Sequence, residues 1–197
     1  PNLGELRKVL LAECRAPFGT VPVYEAHSRA GGDISRLDTG LIVDVVKAQA
    51  EQGVDFMTLH AGLLKSHIPL AMKRVMGIVS RGGAIIAEWM LRHNSENPFF
   101  LAWDEILGIC GEHDVTVSLG DGLRPGCLAD ASDEAQFAEL ATLGELVRSC
   151  KSKGVQVMVE GPGHVPFNQI QMNMELQQKV CERKNERNQL AHTPRFA

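Results

Sequence analysis

The sequence has few aromatic side chains and no concentration of positive charge. Its 197 residues include one Tyr and two Trp, and its 20 Lys and Arg residues are outnumbered by 24 Asp and Glu. Domains dedicated to nucleic acids usually carry a basic patch, often together with aromatic side chains on which bases stack. The composition therefore excludes a dedicated nucleic-acid-binding protein.

Long apolar runs are also missing. No run approaches the roughly 20 residues that a membrane-spanning helix needs. The opening stretch, PNLGELRKVLLAECR, is amphipathic and unlike the apolar core of a signal peptide. We therefore expect no membrane partner and a cytoplasmic location, or a plastid location if the protein comes from a plant.

The cysteines provide neither a disulfide framework nor a metal-binding motif. They are odd in number and widely separated, and none forms a Cys-x-x-Cys pair. This pattern favours a reducing compartment, and we expect the thiols to pack in the core. The five are Cys14, Cys110, Cys127, Cys150 and Cys181.

Three segments with one common pattern indicate buried parallel strands. Each has a polar or Gly stop, a short apolar run, and then a polar residue and glycine. They are QGVDFMTLHAG, HDVTVSLGDG and KGVQVMVEGPG. In addition, GTVPVYEA is predicted to be a short extended segment, and GIVSRGG a strand-to-helix turn.

Helical patterns alternate with these strands. The clearest covers residues 133–153, with Asp133 as candidate N-cap and Gly154 just past the end. Its apolar face would comprise Phe137, Leu140, Ala141, Gly144 and Val147. Further helices are predicted over 41–52, 84–93, 103–112 and 166–181. The alternation predicts an α/β fold with a parallel sheet, either a barrel or a doubly wound sheet.

Polar residues and glycines follow the predicted strands at their carboxyl ends, where both architectures build their sites. The candidates are Tyr24, His60, Ser80, Arg81, Gly82, Asp121, Arg124, Glu160 and His164. Four further histidines are assigned to surface or helix roles without a partner: His67, His93, His113 and His192.

Two glycine-containing loops among these have a functional and a structural interpretation. SRGG at 80–83 opens a helix, where free backbone N–H groups can hold an anion, although a plain tight turn fits equally well. In DGLRPG at 121–126, a carboxylate and a guanidinium lie three residues apart, either as ligand groups or as a structural ion pair.

EGPGHVP at 160–166 is the most specific segment. Glu160 would directly follow a strand, and a Gly/Pro turn presents His164 just before a helix. A carboxylate there can accept hydrogen bonds from a ring or a ribose, while an imidazole can bind a metal or act as a general base. A hydrogen-bonded loop histidine is the structural alternative for His164, and likewise for His60 in TLHAG.

Together, these motifs resemble the phosphomethylpyrimidine synthase family of thiamin biosynthesis, whose members are radical S-adenosylmethionine (SAM) enzymes. The resemblance runs in order from about residue 17 to residue 182, through GTVPVYEA, EQGVDFMTLHAG, GIVSRGG, SLGDGLRPG and VQVMVEGPGHVP. It implies a (β/α)8 barrel of the TIM type. It also implies rearrangement of 5-aminoimidazole ribonucleotide to 4-amino-5-hydroxymethyl-2-methylpyrimidine phosphate.

The resemblance assigns a role to each candidate residue. His164 would be one of two histidine ligands of a divalent metal, zinc or iron. SRGG suits the phosphate, while Asp121 and Glu160 suit the ring amine and the ribose hydroxyls. The ribonucleotide pocket would be lined by Tyr24, His60, Ser80, Arg81, Gly82, Asp121, Gly122, Leu123, Arg124 and Glu160.

The implied cofactors are SAM, a [4Fe–4S] cluster and the divalent metal, with an electron donor as a partner, and we expect a homodimer. The family's cluster motif and its second metal histidine are not in the sequence. A TIM barrel typically needs about 250 residues, and only about four of its strand–helix units can be assigned. We therefore expect residues 1–182 to form part of a barrel and residues 183–197 to be an unpacked polar tail.

Two alternatives stay open. The 5-hydroxybenzimidazole synthases of anaerobic cobalamin biosynthesis resemble the same family and use the same ribonucleotide. A second alternative, from another class, is a non-catalytic partial barrel that binds the ribonucleotide, and the missing cluster motif favours it.

Overall fold

The computed structural model describes residues 3–161 and 163–181. Its centre is a sheet of four parallel strands, hydrogen-bonded in chain order. The strands are β1 (Gly19–Thr20), β2 (Phe56–Leu59), β3 (Thr116–Leu119) and β4 (Val157–Val159). The three predicted strands and their parallel direction are confirmed, whereas the predicted polar tail lies outside the described residues.

The strand order agrees with the barrel, one of the two architectures considered for an α/β protein. A doubly wound sheet reverses its strand order at a switch point, whereas successive strands of a barrel are neighbours. Here each strand pairs with the next one along the chain. The registers align Thr20 with Met57, Leu59 with Leu119, and Leu119 with Val159. The described part therefore has the strand order of a barrel.

Helices connect the strands and cover the sheet. The helices are α1 (Leu3–Glu13), α2 (Pro22–Arg29), α3 (Thr39–Glu51), α4 (Ile68–Ala71), α5 (Arg81–His93), α6 (Pro98–Leu101), α7 (Trp103–Glu112), α8 (Glu134–Ser152) and α9 (Ile170–Val180). Helix α3 packs against α2 and α7, and α8 packs against β4 and α9. The five predicted helices are therefore confirmed as α3, α5, α7, α8 and α9, with shifts of a few residues at several ends.

Aspartate side chains cap the starts of α3 and α8. Asp38 accepts a hydrogen bond from the Leu41 N–H at 2.7 Å, and Asp133 accepts one from the Gln136 N–H at 2.9 Å. An N-cap carboxylate satisfies an N–H group that has no partner within the helix. The predicted cap at Asp133 is thus confirmed.

The prediction that GTVPVYEA is extended is wrong beyond Thr20. Helix α2 begins at Pro22. A proline at the first helical position has a suitable φ angle and gives up no hydrogen bond, because that N–H would have no helical partner. Tyr24 consequently lies in the first turn of α2 and not at the end of a strand.

GIVSRGG contains the start of α5, as predicted. The residues immediately before the helix, 77–80, form no strand. The reason is that β2 and β3 are hydrogen-bonded to each other, which leaves no position in the sheet for the segment between them. Gly77 turns the chain with a φ of 61°. Ser80, Arg81 and Gly82 therefore belong to the start of a helix.

Helix α8 buries more of its surface than predicted, although Leu140, Gly144 and Val147 are buried as expected. Ala141 is exposed, contrary to the prediction, whereas Glu139 is only 2% exposed. Burial recurs at Glu139, Leu143, Leu146 and Cys150, at helical spacing. A carboxyl group thus occupies a core position of this helix.

Three predictions for single side chains are wrong. His93, predicted to have no partner, stacks on the Trp89 ring, and its Nδ1 lies 3.0 Å from the Trp89 carbonyl oxygen. His67 has a partner, because its Nδ1 accepts the Leu64 N–H at 3.2 Å, and burial lowers its pKa. Cys14 is exposed and does not pack in the core. Cys110, Cys150 and Cys181 are buried as expected.

The core lies between the sheet and its helices. Met57, Leu59, Val117 and Leu119 of the two inner strands are fully buried. Within the described ranges, none of the helices combines the length and the apolar character needed to cross a membrane.

Candidate functional site

Residues that directly follow three strands lie side by side at the carboxyl edge of the sheet. Pairing continues one residue past the strands: Gly120 N–H donates to the Leu59 carbonyl at 3.1 Å, and Glu160 N–H donates to the Leu119 carbonyl at 3.0 Å. Since Leu59, Leu119 and Val159 are in register, the next residues, His60, Gly120 and Glu160, share one level. The prediction that these strand ends meet is confirmed for β2, β3 and β4.

His60 is buried at this level against two glycines. A Cβ atom built on Gly82 would lie 2.5 Å from the His60 ring, and one on Gly120 would lie 3.3 Å from its Nε2. Burial lowers the pKa of His60 to about 4, against the opposing effect of the nearby Glu160 carboxylate. The imidazole is therefore neutral at pH 7. Within the part of the chain that the structure describes, its buried Nδ1 has no hydrogen-bond partner.

The first turn of α5 borders the same level. The Ser80 hydroxyl accepts the Gly83 N–H at 3.2 Å. The N–H groups of Arg81 and Gly82, in the first turn, have no acceptor within the helix. The Arg81 guanidinium carbon lies 4.9 Å from the centre of the Tyr24 ring, in a cation–π contact. Tyr24 thereby borders the helix start, although it lies on α2.

Asp121, Arg124 and Glu160 form a charged cluster beside His60. The Asp121 N–H donates to Glu160 Oε2 at 3.3 Å, and Arg124 Nη1 lies 3.2 Å from Asp121 Oδ1. Burial raises the pKa of Asp121 well above its usual range, and the neighbouring Glu160 carboxylate raises it further, while Arg124 opposes the rise. The cluster therefore favours the protonated form of Asp121.

The segment Gly122–Leu123 reaches the site through its backbone. The Leu123 side chain is fully buried in the core, so it presents no side-chain group to a ligand. A Cβ atom on Gly83 would lie 2.3 Å from the Gly122 carbonyl oxygen. Helix α5 and this segment therefore touch through their backbones.

His164 lies in a loop, where its own backbone has a φ of 57°. Its Nδ1 is 2.9 Å from the carbonyl oxygen of Pro125. A carbonyl oxygen can only accept, so Nδ1 carries the proton and Nε2 keeps its lone pair. This is the tautomer in which a histidine can bind a metal ion through Nε2.

Three polar residues at the edge of the site do not appear among the sequence-based candidates: Arg74, Asn97 and Glu139. Asn97 is fully buried, and its Nδ2 donates to the carbonyl oxygens of His60 and Leu63, each at 2.8 Å. Only Glu139 could have been found from the sequence. It lies four and seven residues before Leu143 and Leu146, a spacing that places all three on one face of a helix. Arg74 and Asn97 lie in irregular segments, where no periodicity marks them.

Comparison with known proteins assigns the family. The model of the radical SAM ThiC family matches residues 1–185. The chain belongs to this family. Among curated proteins, the phosphomethylpyrimidine synthases of Halobacterium salinarum, Natronomonas pharaonis and Haloarcula marismortui are 55%, 58% and 54% identical to it over 181 residues. Each alignment covers 92% of this chain and 38% of the relative, so the chain spans well under half of their length.

Membership of the radical SAM ThiC family confirms the resemblance and implies SAM and an iron–sulfur cluster as cofactors. The described cysteines do not fit a cluster: Cys14 is exposed, and burial raises the pKa of Cys110 and Cys150 to about 12. In residues 3–161 and 163–181, no three His, Cys, Asp or Glu side chains converge on a metal position. His164 fits a metal site as a single ligand.

Proposed function

We propose that the complete protein containing this chain is a phosphomethylpyrimidine synthase. It converts 5-aminoimidazole ribonucleotide to 4-amino-5-hydroxymethyl-2-methylpyrimidine phosphate in thiamin biosynthesis, on a barrel that extends the four described strands. The names of the curated relatives support this activity and favour the pyrimidine product over the benzimidazole alternative.

The observation that carries the proposal is the position of His60 and Glu160 at one level of the sheet edge, with Asp121 hydrogen-bonded to Glu160, beside the start of α5. A phosphorylated aminoimidazole ribonucleotide presents an anion at one end and N–H and O–H donors at the other. The N–H groups of Arg81 and Gly82, with the Arg81 guanidinium, suit the phosphate. The site thus has complementary groups at both ends of this substrate.

The carboxyl pair suits the other end. Glu160, as an anion, accepts hydrogen bonds from the ring amine or a ribose hydroxyl, while a protonated Asp121 can also donate one. Neutral His60 has an unpartnered ring nitrogen, among the described residues, that a bound molecule can satisfy. Together these groups orient the nucleotide at the carboxyl edge of the sheet.

The radical chemistry would be supplied by SAM and the cluster, which the described cysteines do not hold. His164 is our candidate ligand for a divalent metal, through Nε2. What this chain contributes is substrate binding, orientation and the exclusion of water.

Binding of the ribonucleotide tests the proposal. We expect 5-aminoimidazole ribonucleotide to bind the complete protein in isothermal titration calorimetry. Glu160→Gln should raise the Kd by roughly 10- to 100-fold, the usual effect of losing hydrogen bonds to a charged group. Glu175→Gln, which changes an exposed carboxylate on α9, is the matched control and should leave the Kd unchanged.

Two results would contradict the proposal. The first is an absence of ribonucleotide binding by the unaltered protein, and the second is an unchanged Kd in Glu160→Gln. Mass analysis of the product after incubation with SAM and a low-potential reductant separates the remaining alternatives, because a benzimidazole differs in mass from the pyrimidine phosphate.

A further inference from the structure

The segment from Gly122 to Arg124 has no regular secondary structure to hold it. It follows β3 after Gly120 and Asp121, and it brings the Arg124 side chain to the site. Its peptide groups therefore need partners from elsewhere in the molecule. Two buried ionisable side chains outside the proposed substrate contacts supply them.

Glu139 holds the segment from the side of α8. Its Oε2 accepts the Leu123 N–H at 2.7 Å, and a Cβ atom on Gly122 would lie 3.1 Å from its Oε1. The carboxyl is 2% exposed, and burial raises its pKa to about 8, with Asp121 adding to the rise and the Leu123 N–H opposing it. Burying a carboxyl group costs free energy, and an apolar side chain at position 139 would stabilise α8 without that cost. The stability of α8 therefore does not explain why Glu139 is there.

Arg74 holds the segment from the opposite side. Its Nη2 donates to the Leu123 carbonyl at 2.7 Å, and its Nη1 donates to the Arg124 carbonyl at 3.3 Å. The same guanidinium pairs with both oxygens of Asp133, at 2.6 and 2.7 Å, and its side chain is 1% exposed. Because Asp133 caps α8, the arginine ties the segment to the helix that carries Glu139.

We propose that Arg74 and Glu139 are positioning residues that clamp the Leu123 peptide groups and so fix Gly122, Leu123 and Arg124 for the ribonucleotide. Glu139 takes the N–H of Leu123 and Arg74 takes its carbonyl, so the two partners fix both the position and the rotation of this residue. This inference rests on the proposed function for the identity of the ligand, whereas the clamp itself rests on the contacts alone.

Exchange of backbone hydrogens tests the clamp without any ligand. In the complete protein, we expect peptides that cover residues 119–127 to exchange slowly. Glu139→Leu should speed exchange in these peptides selectively, because the Leu123 N–H loses its acceptor. Glu139→Gln retains an amide oxygen at that position and should restore the protection.

Calorimetry then links the clamp to binding. We expect Glu139→Leu and Arg74→Lys to raise the Kd of 5-aminoimidazole ribonucleotide by about tenfold or more at full stoichiometry, and Glu139→Gln to stay within about threefold. A shift in Kd at full stoichiometry separates displacement of the segment from partial unfolding, which lowers the number of sites instead.

Two control variants match these changes. Val46→Ala removes a buried side chain of α3 and lowers stability without touching the segment. Lys73→Ala breaks an exposed ion pair next to Arg74. Both should leave the Kd and the exchange of residues 119–127 unchanged.

The outcomes separate the clamp from the proposed substrate. Unchanged exchange of residues 119–127 in both Glu139→Leu and Arg74→Lys would overturn the clamp, as would faster exchange with an unchanged Kd. If Glu139→Leu does not fold, the hydrogen exchange and the Kd of Arg74→Lys test the clamp in its place. If the unaltered protein binds no ribonucleotide, the proposed substrate is wrong, and the exchange measurements decide whether the clamp exists.

Discussion

Glycine at positions 82 and 83 is required because two chain segments approach closely at the start of α5. An added Cβ atom would lie 2.5 Å from the His60 ring at position 82 and 2.3 Å from the Gly122 carbonyl at position 83. The sequence alone left SRGG open between an anion site and a plain turn. It could not decide because both partners of these glycines come from distant parts of the chain.

At this scale we predict opposite effects for two helical glycines. Gly83→Ala should lower the free energy of unfolding by about 1–3 kcal/mol, because the Gly122 backbone cannot move aside. Gly108→Ala in α7 should raise it by up to about 1 kcal/mol, since no atom lies within 4 Å and alanine favours the helix. Urea unfolding measures both. Equal effects would contradict the close contact.

At the scale of elements, strands and long helices follow from the sequence, while the irregular turns that shape the site do not. Apolar periodicity and the cap at Asp133 locate α8, and the apolar runs locate β2 to β4. The turn after β2 depends instead on Asn97, which is fully buried and 37 residues away from His60. No local pattern predicts such a contact, because it is formed only when the elements pack.

The turn after β2 gives a prediction for Asn97. Its side chain donates to the carbonyl oxygens of His60 and Leu63, and its Oδ1 accepts the Phe99 N–H at 3.0 Å to cap α6. Asn97→Ala leaves these buried groups without partners, so we expect a loss of about 3 kcal/mol in the free energy of unfolding.

The exposed amide Asn168 provides the control. Asn168→Ala should change the free energy of unfolding by less than about 0.5 kcal/mol in the same urea titration. A loss for Asn97→Ala no greater than that of the control would mean that the turn after β2 is held by other contacts.

At the scale of the whole molecule, the burial of charge is what the sequence least reveals. Composition, strand order and the family motifs lead to an α/β fold and to residues at strand ends. They do not indicate that Asp121 and Glu139 are buried within one cluster, since that depends on the rotation of α8 against the sheet. The cost of this burial makes the stability of the whole fold depend on pH.

The sign of this dependence follows from the pKa of Glu139, which is raised from 4.5 to about 8. Between these values the unfolded chain releases the proton and the folded protein retains it, so the free energy of unfolding falls as pH rises. The slope from one such group is at most about 1.4 kcal/mol per pH unit. Neutral His60, with its pKa lowered from 6.5 to about 4, acts in the opposite direction, but only below its unfolded value of 6.5.

The interval from pH 6.5 to pH 8 therefore isolates the buried carboxyl groups. We expect the free energy of unfolding, measured by urea titration, to fall over this interval. The fall should be smaller in Glu139→Gln, whose residual slope belongs to Asp121, whereas Glu175→Gln should behave like the unaltered protein because that carboxylate is exposed. An identical slope in Glu139→Gln would mean that Glu139 is ionised in the folded state, and then a full negative charge, not a neutral carboxyl, holds the Leu123 N–H.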